Sequence, residues 1–428
     1  MLVVIVGSGG REHALALACA ADADVVVVPG SPGIEDHDSG IWVSGPVGET
    51  QLLDILVAYK ADLYVIGPEQ PLVDGLADSL RARGCVVFGP GADGAALEGS
   101  KALLKEVLDS AGVPCATSVT CRTEAEARAA LEDLSEGYVV KTDGLAAGKG
   151  VLVTDDLDVA IADAVAKLRG QSFGAAGRTV VIEERLSGPE ISVFFVCDGR
   201  RAVALPAAQD HKRLLDDDHG PNTGGMGAFS PVPGVGDEVL AELCRDFAEP
   251  TLHELTRRGI DFRGVLFGGF MLTASGPRLL EYNVRFGDPE TQVVLPRFDG
   301  SLVGLLMCAA QGDLTRAAPW RVRPDAVVAV VAAAAGYPVA PETGAPIAGL
   351  EEVGAVPDVR VLHAGTGFDL ETGWFVNGGR VLNVVASGAT LDEARERAYE
   401  GLACISWPGL QYRSDIGAAG LAAAPTLI

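Results

Sequence analysis

Three stretches of this sequence carry residues whose type and spacing suit chemistry on phosphate. In Asp143-Gly144-Leu145-Ala146-Ala147-Gly148-Lys149-Gly150 the glycines free the backbone to approach an anion, and its N–H groups can donate to it. Lys149 and Lys141 add positive charge there. The loop is not a Walker P-loop: Leu145-Ala146-Ala147 is one residue too short a spacer, Gly150 follows Lys149 where Ser or Thr is needed, and a strand pattern comes next. In Glu281-Tyr282-Asn283-Val284-Arg285-Phe286-Gly287-Asp288-Pro289-Glu290, alternate residues share one face of a strand. Glu281 and Asn283 then present two oxygens to one Mg²⁺, and Arg285 extends that face toward a phosphate or carboxylate. The third stretch runs from Gln209-Asp210-His211-Lys212-Arg213 through Asp216-Asp217-Asp218 into Gly220-Pro221-Asn222-Thr223-Gly224-Gly225-Met226-Gly227. Its glycines suit close approach to a ligand, and Asp210 suits an amine. His211 reads as a hydrogen-bonding residue rather than a general base, and the acidic run as a solvated one.

These residues need a scaffold. Up to about residue 90, strand-type runs (Leu2–Val6, Val25–Val28, Leu63–Ile66, Val86–Phe88) alternate with helical patterns at 11–21, 49–60 and 73–83, which implies a parallel sheet. Loops 29–33, 67–71 and 89–91 all follow strands and gather at its carboxyl edge, where open α/β folds bind ligands. Gly7-Ser8-Gly9-Gly10 follows the first strand and opens a helix, so it can receive a phosphate. It imitates a dinucleotide fingerprint, but Glu12 takes the third glycine's place and the second strand ends Val28-Pro29-Gly30 without an acid. A helix at about 100–111 leads to a small separate unit. There Thr123 and Glu126 form a capping box, and strands at Tyr138–Thr142, Val151–Thr154 and Thr179–Glu184 accompany a helix at 156–169. Antiparallel strands follow at Glu190–Cys197, Ala202–Leu205, Gly264–Thr273 and Arg278–Asn283, with one long helix at about 237–257 between them. The stretch 206–234 reads as a long polar loop that builds no core. Past Pro319–Pro324 lie apolar runs at 326–334 and 381–385 and a helix at 391–404.

The bulk numbers narrow the function. With 33 Lys plus Arg against 58 Asp plus Glu, the chain carries a formal charge of −25, which argues against a nucleic-acid partner. No apolar run is long enough to span a bilayer, and Met1–Val6 reads as a buried strand rather than a signal peptide. The eight cysteines contain no C-x-x-C pair and read as reduced core residues, with no disulfide or metal.

Together, GSGGREHALA, GPEQPLVDG, VVKTDGLAAGKGV, QDHKR, GPNTGGMGAFSP, EYNVRFGDPETQ, NGGRVLNVVASG and QYRSDIG resemble the ATP-grasp ligases, and within them the phosphoribosylamine–glycine ligase family, in order along essentially the whole chain. The resemblance implies an α/β and α+β multidomain protein. Its parts would be an N-terminal parallel α/β substrate domain (1–100), an ATP-grasp core (101–120 and 190–322), a small ATP-grasp lid (121–189) and a C-terminal mixed domain (323–428). It implies that ATP phosphorylates glycine and that 5-phosphoribosylamine attacks the glycyl phosphate, with Mg²⁺ or Mn²⁺, in the cytoplasm, as a monomer or weak homo-oligomer with no nucleic-acid or membrane partner.

Carried over by residue, Lys105 and Lys141 match nucleotide-phosphate contacts, and Gly144, Gly148 and Gly150 match the loop that closes over ATP. Glu183, Glu184 and Glu190 match the adenine- and ribose-binding segment, and Glu281 and Asn283 the metal ligands. Asp210, Arg285, Gly287 and Asp288 lie where the family handles glycine and the acyl phosphate, with Asp210, Arg285 and Asp288 as the catalytic set. Glu69 and Arg380 match contacts to phosphoribosylamine, and Gly9 and Gly10 are expected at its ribose phosphate. Two departures stand out: Asp216-Asp217-Asp218 where the family has D-G-D, and Glu98-Gly99-Ser100-Lys101 where it has E-S-S-K. Neither is expected to touch the chemistry. A third acidic metal ligand is absent from 264–273. The alternative reading is another ATP-grasp carboxylate–amine ligase; a biotin carboxylase subunit does not suit the QDHKR loop, an NAD-dependent dehydrogenase has only the weak first-loop fingerprint, and a nucleotide sensor is disfavoured by the long substrate loop together with Glu281-x-Asn283.

Overall fold

The computed structural model describes residues 1–48, 51–144, 150–172 and 178–421. The N-terminal unit is a five-stranded parallel sheet in the order Ile41–Val43, Asp24–Pro29, Leu2–Gly7, Leu63–Ile66, Val87–Phe88. Its inner strands are continuous β-branched runs, as in Val3-Val4-Ile5, because helices cover both faces and leave no solvent side. The helix expected at 73–83 is two, Glu69–Val73 and Leu76–Ala82. Gly75, at φ +78°, adopts the left-handed conformation that ends the first and starts the second.

In the small unit an antiparallel sheet (Ser118–Cys121, Val180–Glu184, Tyr138–Thr142, Val151–Thr154) packs against the helices Glu124–Glu132 and Leu157–Leu168 around Cys121, Val140, Ile182 and Ala164. The capping box forms: Glu126 N–H donates to Thr123 Oγ1 at 3.2 Å, and Thr123 N–H to Glu126 Oε2 at 3.0 Å.

The central sheet runs Ala202–Ala204, Glu190–Asp198, Arg263–Thr273, Gly276–Asn283, all antiparallel. The long helix is interrupted by a π-helical turn at Cys244–Ala248, between Asp237–Leu243 and Glu249–Arg257. Pro250 has no N–H to return to the preceding turn, and the wider turn absorbs the missing bond.

The stretch 206–234 departs most from expectation. It holds four short strands. Gln209–Asp210 and Gly227–Ser230 join the C-terminal sheet, whose order is Gln209–Asp210, Gly227–Ser230, Ala326–Ala333, Arg380–Gly388, Val359–His363. Arg213–Leu215 and His219–Asn222 form a hairpin. Met226, Ala228 and Phe229 are fully buried, so this stretch does contribute to a core. The apolar side chains at 226, 228 and 229 do not alternate and are too few to reveal a strand against the surrounding glycines. All eight cysteines are unpaired. Among the described residues no helix is long and apolar enough to cross a membrane.

Candidate active site

Three elements bring charge to one cleft between the small unit and the central sheet. The helix Lys101–Ala111 carries Lys105, the strand Tyr138–Thr142 carries Lys141, and the strand Val180–Glu184 turns Glu183 inward. Lys105 Nζ lies 3.0 Å from Glu183 Oε1, and Lys141 Nζ lies 2.9 Å from Oε2 and donates to the Leu280 carbonyl at 3.0 Å. All three side chains are buried. Burial pulls the Lys141 pKa down, but Glu183 and Glu281 more than offset it, so the ammonium stays charged. Glu183 therefore faces the two lysines. Glu184, its neighbour in the strand, turns away and accepts the Thr117 N–H at 2.8 Å. Gly144, at φ +124°, begins the glycine loop, and the Gly150 carbonyl closes it by accepting the Thr142 N–H at 2.9 Å. Gly148 and Lys149 lie outside the described residues.

Across the cleft, the strand Gly276–Asn283 alternates: Tyr282 is buried while Glu281 and Asn283 take the other face. A register shift opposite Gly269/Phe270 leaves Leu280 without a partner there, and its carbonyl meets Lys141. The Glu281 carboxyl is raised by burial, but Lys212, Lys141, Lys101 and Arg285 outweigh this and hold it below the usual range. Among the described residues no three His, Cys, Asp or Glu side chains gather as a resident metal centre. Two hard oxygen donors at alternate strand positions, ringed by phosphate-seeking cations, fit instead a divalent ion that arrives with nucleotide phosphates.

The strand Gln209–Asp210 delivers Asp210, and Lys212 follows it to pair with Glu190. Burial, then Glu290 and Glu190, push the Asp210 carboxyl up against the opposing pull of Lys212. Glu290, raised chiefly by burial, accepts the Ser192 hydroxyl at 3.4 Å.

Beyond Glu281 the site reaches the junction of the N-terminal and C-terminal sheets. Arg285 lies 3.3 Å from Glu69 and 3.2 Å from Glu98, and Glu98 Oε2 accepts the Val284 N–H at 2.9 Å. Arg380 lies 3.2 Å from Asp288 Oδ2. Gly287 is a packing glycine: a Cβ there would stand 2.4 Å from Glu290 Oε2. At the first loop, Glu12 Oε2 accepts the Gly9 N–H at 2.7 Å, so one of the N–H groups expected to receive a phosphate is already engaged. Gly10 packs against Asn383 and Gln292, where a Cβ would lie 2.3 and 3.0 Å from their amide nitrogens.

The segment Glu98–Lys101, expected to stand apart from the chemistry, lies within the site. Besides the Glu98 pair, Lys101 Nζ donates to the Gly144 carbonyl at 3.3 Å, and Ser100 Oγ to Asp143 Oδ1 at 3.0 Å. Sequence reasoning also left out Lys212, Arg11 and Glu12. Arg11 and Glu12 pair at 2.6 Å, both buried. The available signal was charge where none is needed: Glu98 beside Leu97 on a buried helical face, and Arg11-Glu12 in a first turn packed into the core.

Comparison with known proteins agrees with this geometry. Family models described as phosphoribosylglycinamide synthetase match in three parts: N domain at residues 1–98, ATP-grasp (A) domain at 99–291 and C domain at 327–419. Phosphoribosylamine–glycine ligase of Streptomyces coelicolor is 47% identical over 98% of this chain and 99% of its own, and that of Caulobacter vibrioides 46% over 97% and 98%. The crystal structure of phosphoribosylamine–glycine ligase from Thermotoga maritima superposes with a TM-score of 0.84 at 35% identity, covering 97% of this chain and 100% of that one. The biotin carboxylase domain of Hydrogenobacter thermophilus 2-oxoglutarate carboxylase shares the fold at 15% identity, with a TM-score of 0.71, over 96% of this chain and 91% of that one. The chain belongs to the phosphoribosylglycinamide synthetase family of ATP-grasp ligases.

Proposed function

We propose that this chain joins glycine to 5-phosphoribosylamine, using ATP by way of glycyl phosphate, and yields glycinamide ribonucleotide, ADP and phosphate. A glycine carboxylate oxygen attacks the γ-phosphorus as its bond to ADP breaks. The amine nitrogen then attacks the glycyl carbonyl carbon, the carbon–oxygen bond to phosphate breaks, and the amine gives up a proton. The observation that carries this reading is the pairing of Lys212, two residues past Asp210 on a loop built into the C-terminal sheet, with Glu190, where its charge also acts on Glu281, the carboxylate that Lys141 helps to hold ionised.

Lys105 and Lys141, held by Glu183, receive the nucleotide phosphates with the glycine loop that Gly144 begins and Gly150 closes, while the strand end at Glu183–Glu184 and the Glu190 side chain flank the nucleoside. Glu281 and Asn283 would hold Mg²⁺ or Mn²⁺, whose charge would offset that of the phosphates. Asp210 holds the glycine ammonium, and Arg285 beside Gly287 holds the acyl phosphate. Asp288, kept ionised by Arg380 and Arg11, orients the attacking amine. Glu69 and Arg380 hold the phosphoribosyl group, with Gly9 and Gly10 at its phosphate. The substrates are soluble metabolites, consistent with a cytoplasmic enzyme that needs no nucleic acid or membrane. The test is stoichiometry: ATP, glycine and phosphoribosylamine should give ADP, phosphate and the amide in equal amounts. Release of AMP and pyrophosphate would mean an adenylate and overturn the reading.

A further inference from the structure

The C-terminal motif Gln411-Tyr412-Arg413-Ser414-Asp415-Ile416-Gly417 supplies nothing to the chemistry above, yet the Arg413 side chain is only 1% exposed. Its Nε and Nη2 donate to the two Asp415 oxygens at 2.7 and 2.6 Å, and its Nη1 to Asp218 Oδ1 at 2.7 Å and the Arg213 carbonyl at 3.2 Å. Ser414 N–H donates to Asp216 Oδ1 at 2.8 Å, the Ser414 hydroxyl to the other Asp216 oxygen, and Asp217 N–H to Asp415 Oδ2 at 3.0 Å. The acidic run Asp216–Asp218 is thus the fastening between the hairpin Arg213–Leu215/His219–Asn222 and the C-terminal segment. Asp217 and Asp218, at φ +54° and +53°, hold a left-handed turn that non-glycine residues seldom adopt.

The same segment reaches the residues before the hairpin. Gly417 N–H points to His211 Nε2 at 3.5 Å, and His211 N–H donates to the Gly227 carbonyl at 2.9 Å. Ile416 packs on Gly227, where a Cβ would come within 2.8 Å of it. His211 stands between Asp210 and Lys212, so its backbone fixes where both side chains begin. The sheet holds the base of this loop in any case. What the arginine adds is the tilt of the hairpin, since without it Asp216, Asp218 and Asp415 would face one another as like charges.

We propose that Arg413 and Asp415 are positioning residues for the glycine site, acting through the Asp216–Asp218 hairpin and His211 to set the placement of Asp210 and Lys212. This rests on the reading of Asp210 as the residue that holds glycine.

The test is steady-state kinetics of the full chain carrying Arg413→Met, Arg413→Lys or Asp415→Asn, with Asp210→Asn in parallel. Arg413→Met and Asp415→Asn should raise the glycine KM by about tenfold or more while the ATP KM stays within about twofold, because a displacement of the order of an ångström is enough. Arg413→Lys should recover only part, since one ammonium cannot reproduce the fork. If Arg413→Met does not fold, Ser414→Ala, which removes one hydroxyl bond to Asp216, should shift the glycine KM in the same direction by less. A uniform loss of kcat with both KM values unchanged would mean a purely structural role and overturn the proposal. If Asp210→Asn raises the glycine KM but none of the C-terminal variants does, the C-terminal clasp alone is refuted. If Asp210→Asn leaves it unchanged, the reading of the loop fails, and the proposed route with it.

Discussion

Arg380 reaches back along the chain to Asp288: its Nη2 lies 3.2 Å from Asp288 Oδ2, and its Nη1 donates to the carbonyls of Asp288 and Gly224 at 2.6 Å. One guanidinium thereby ties the C-terminal sheet to the Gly-Asp-Pro turn and to the glycine-rich end of the substrate loop. Burial opposes its charge, but Asp288 and Glu290 outweigh it. Arg380→Ala is expected to raise the KM for phosphoribosylamine by roughly tenfold to a hundredfold with little change for ATP. Arg380→Lys keeps the charge and loses the fork, so it should recover only part. A rise confined to the ATP KM would remove Arg380 from the phosphoribosylamine site.

Among the described residues Glu183 is the carboxylate in ion-pair contact with both buried ammonium groups, Lys105 and Lys141. Glu183→Gln leaves both cations buried with no carboxylate between them and should cost about 3–5 kcal/mol of stability, measured by denaturant unfolding. Adding Lys105→Met should return part of that loss, because one uncompensated charge is then gone. Equal stability of wild type and Glu183→Gln would mean that solvent, not Glu183, compensates the lysines.

Glu281→Ala should reduce turnover by roughly a thousandfold, the scale of several kcal/mol of lost charge stabilisation, with circular dichroism unchanged. Near-normal turnover of this variant at limiting Mg²⁺ would take Glu281 out of the metal site.

The raised Asp210 carboxyl gives glycine binding a sign with respect to pH. Burial and the neighbouring acids favour the protonated form, whereas a bound ammonium favours the carboxylate, so binding releases a proton. The glycine KM should therefore fall as pH rises through the range in which Asp210 loses its proton, by up to about tenfold per unit. Asp210→Asn should abolish this slope. A glycine KM in the wild type that is flat across neutral and mildly alkaline pH would show that Asp210 does not face the ammonium.

How far the site was legible in the sequence follows from the range of each interaction. The face shared by Glu281 and Asn283 was readable because strand alternation is a local rule, and the structure keeps it with Tyr282 buried opposite. The capping box at Thr123 was readable for the same reason. The involvement of Glu98 was not, because its partners Val284 and Arg285 lie on another unit, 186 residues away in the case of the Val284 N–H. The strands in 206–234 were hidden because Gln209–Asp210 is only two residues long and exists by pairing with Ala228 and Phe229. The role of Asp216–Asp218 depends on an arginine 195 residues further on, so locally it looks like any acidic run. At the first glycine loop the helix start and its N–H groups were readable, but not that Glu12 supplies an anion from within and takes the N–H of Gly9.

The junction of the N-terminal and C-terminal units is expected to weaken in acid, because two buried histidines meet there. His363 N–H donates to His13 Nδ1 at 2.9 Å, so the His13 ring must present a lone pair there. Burial, then His363 and Arg360, push the His13 pKa down to about 3, with only the His363 backbone bond and Asp36 opposing. Burial likewise pushes His363, whose ring lies 4.7 Å from that of Trp374, down to about 4. Both folded values lie below the ordinary value of 6.5, so the unfolded chain binds more protons between the two limits. Their contribution is present in full above pH 6.5 and is lost as pH falls below it, by up to about 1.4 kcal/mol per pH unit for each histidine. His13→Asn keeps an oxygen acceptor for the His363 N–H and removes one titrating ring. It should lower stability modestly at neutral pH but flatten the decline between about pH 6 and pH 4.5 by roughly one histidine's share, read from chemical denaturation at each pH. If wild type and His13→Asn decline in parallel, His13 contributes nothing to the acid sensitivity and its assignment here is wrong.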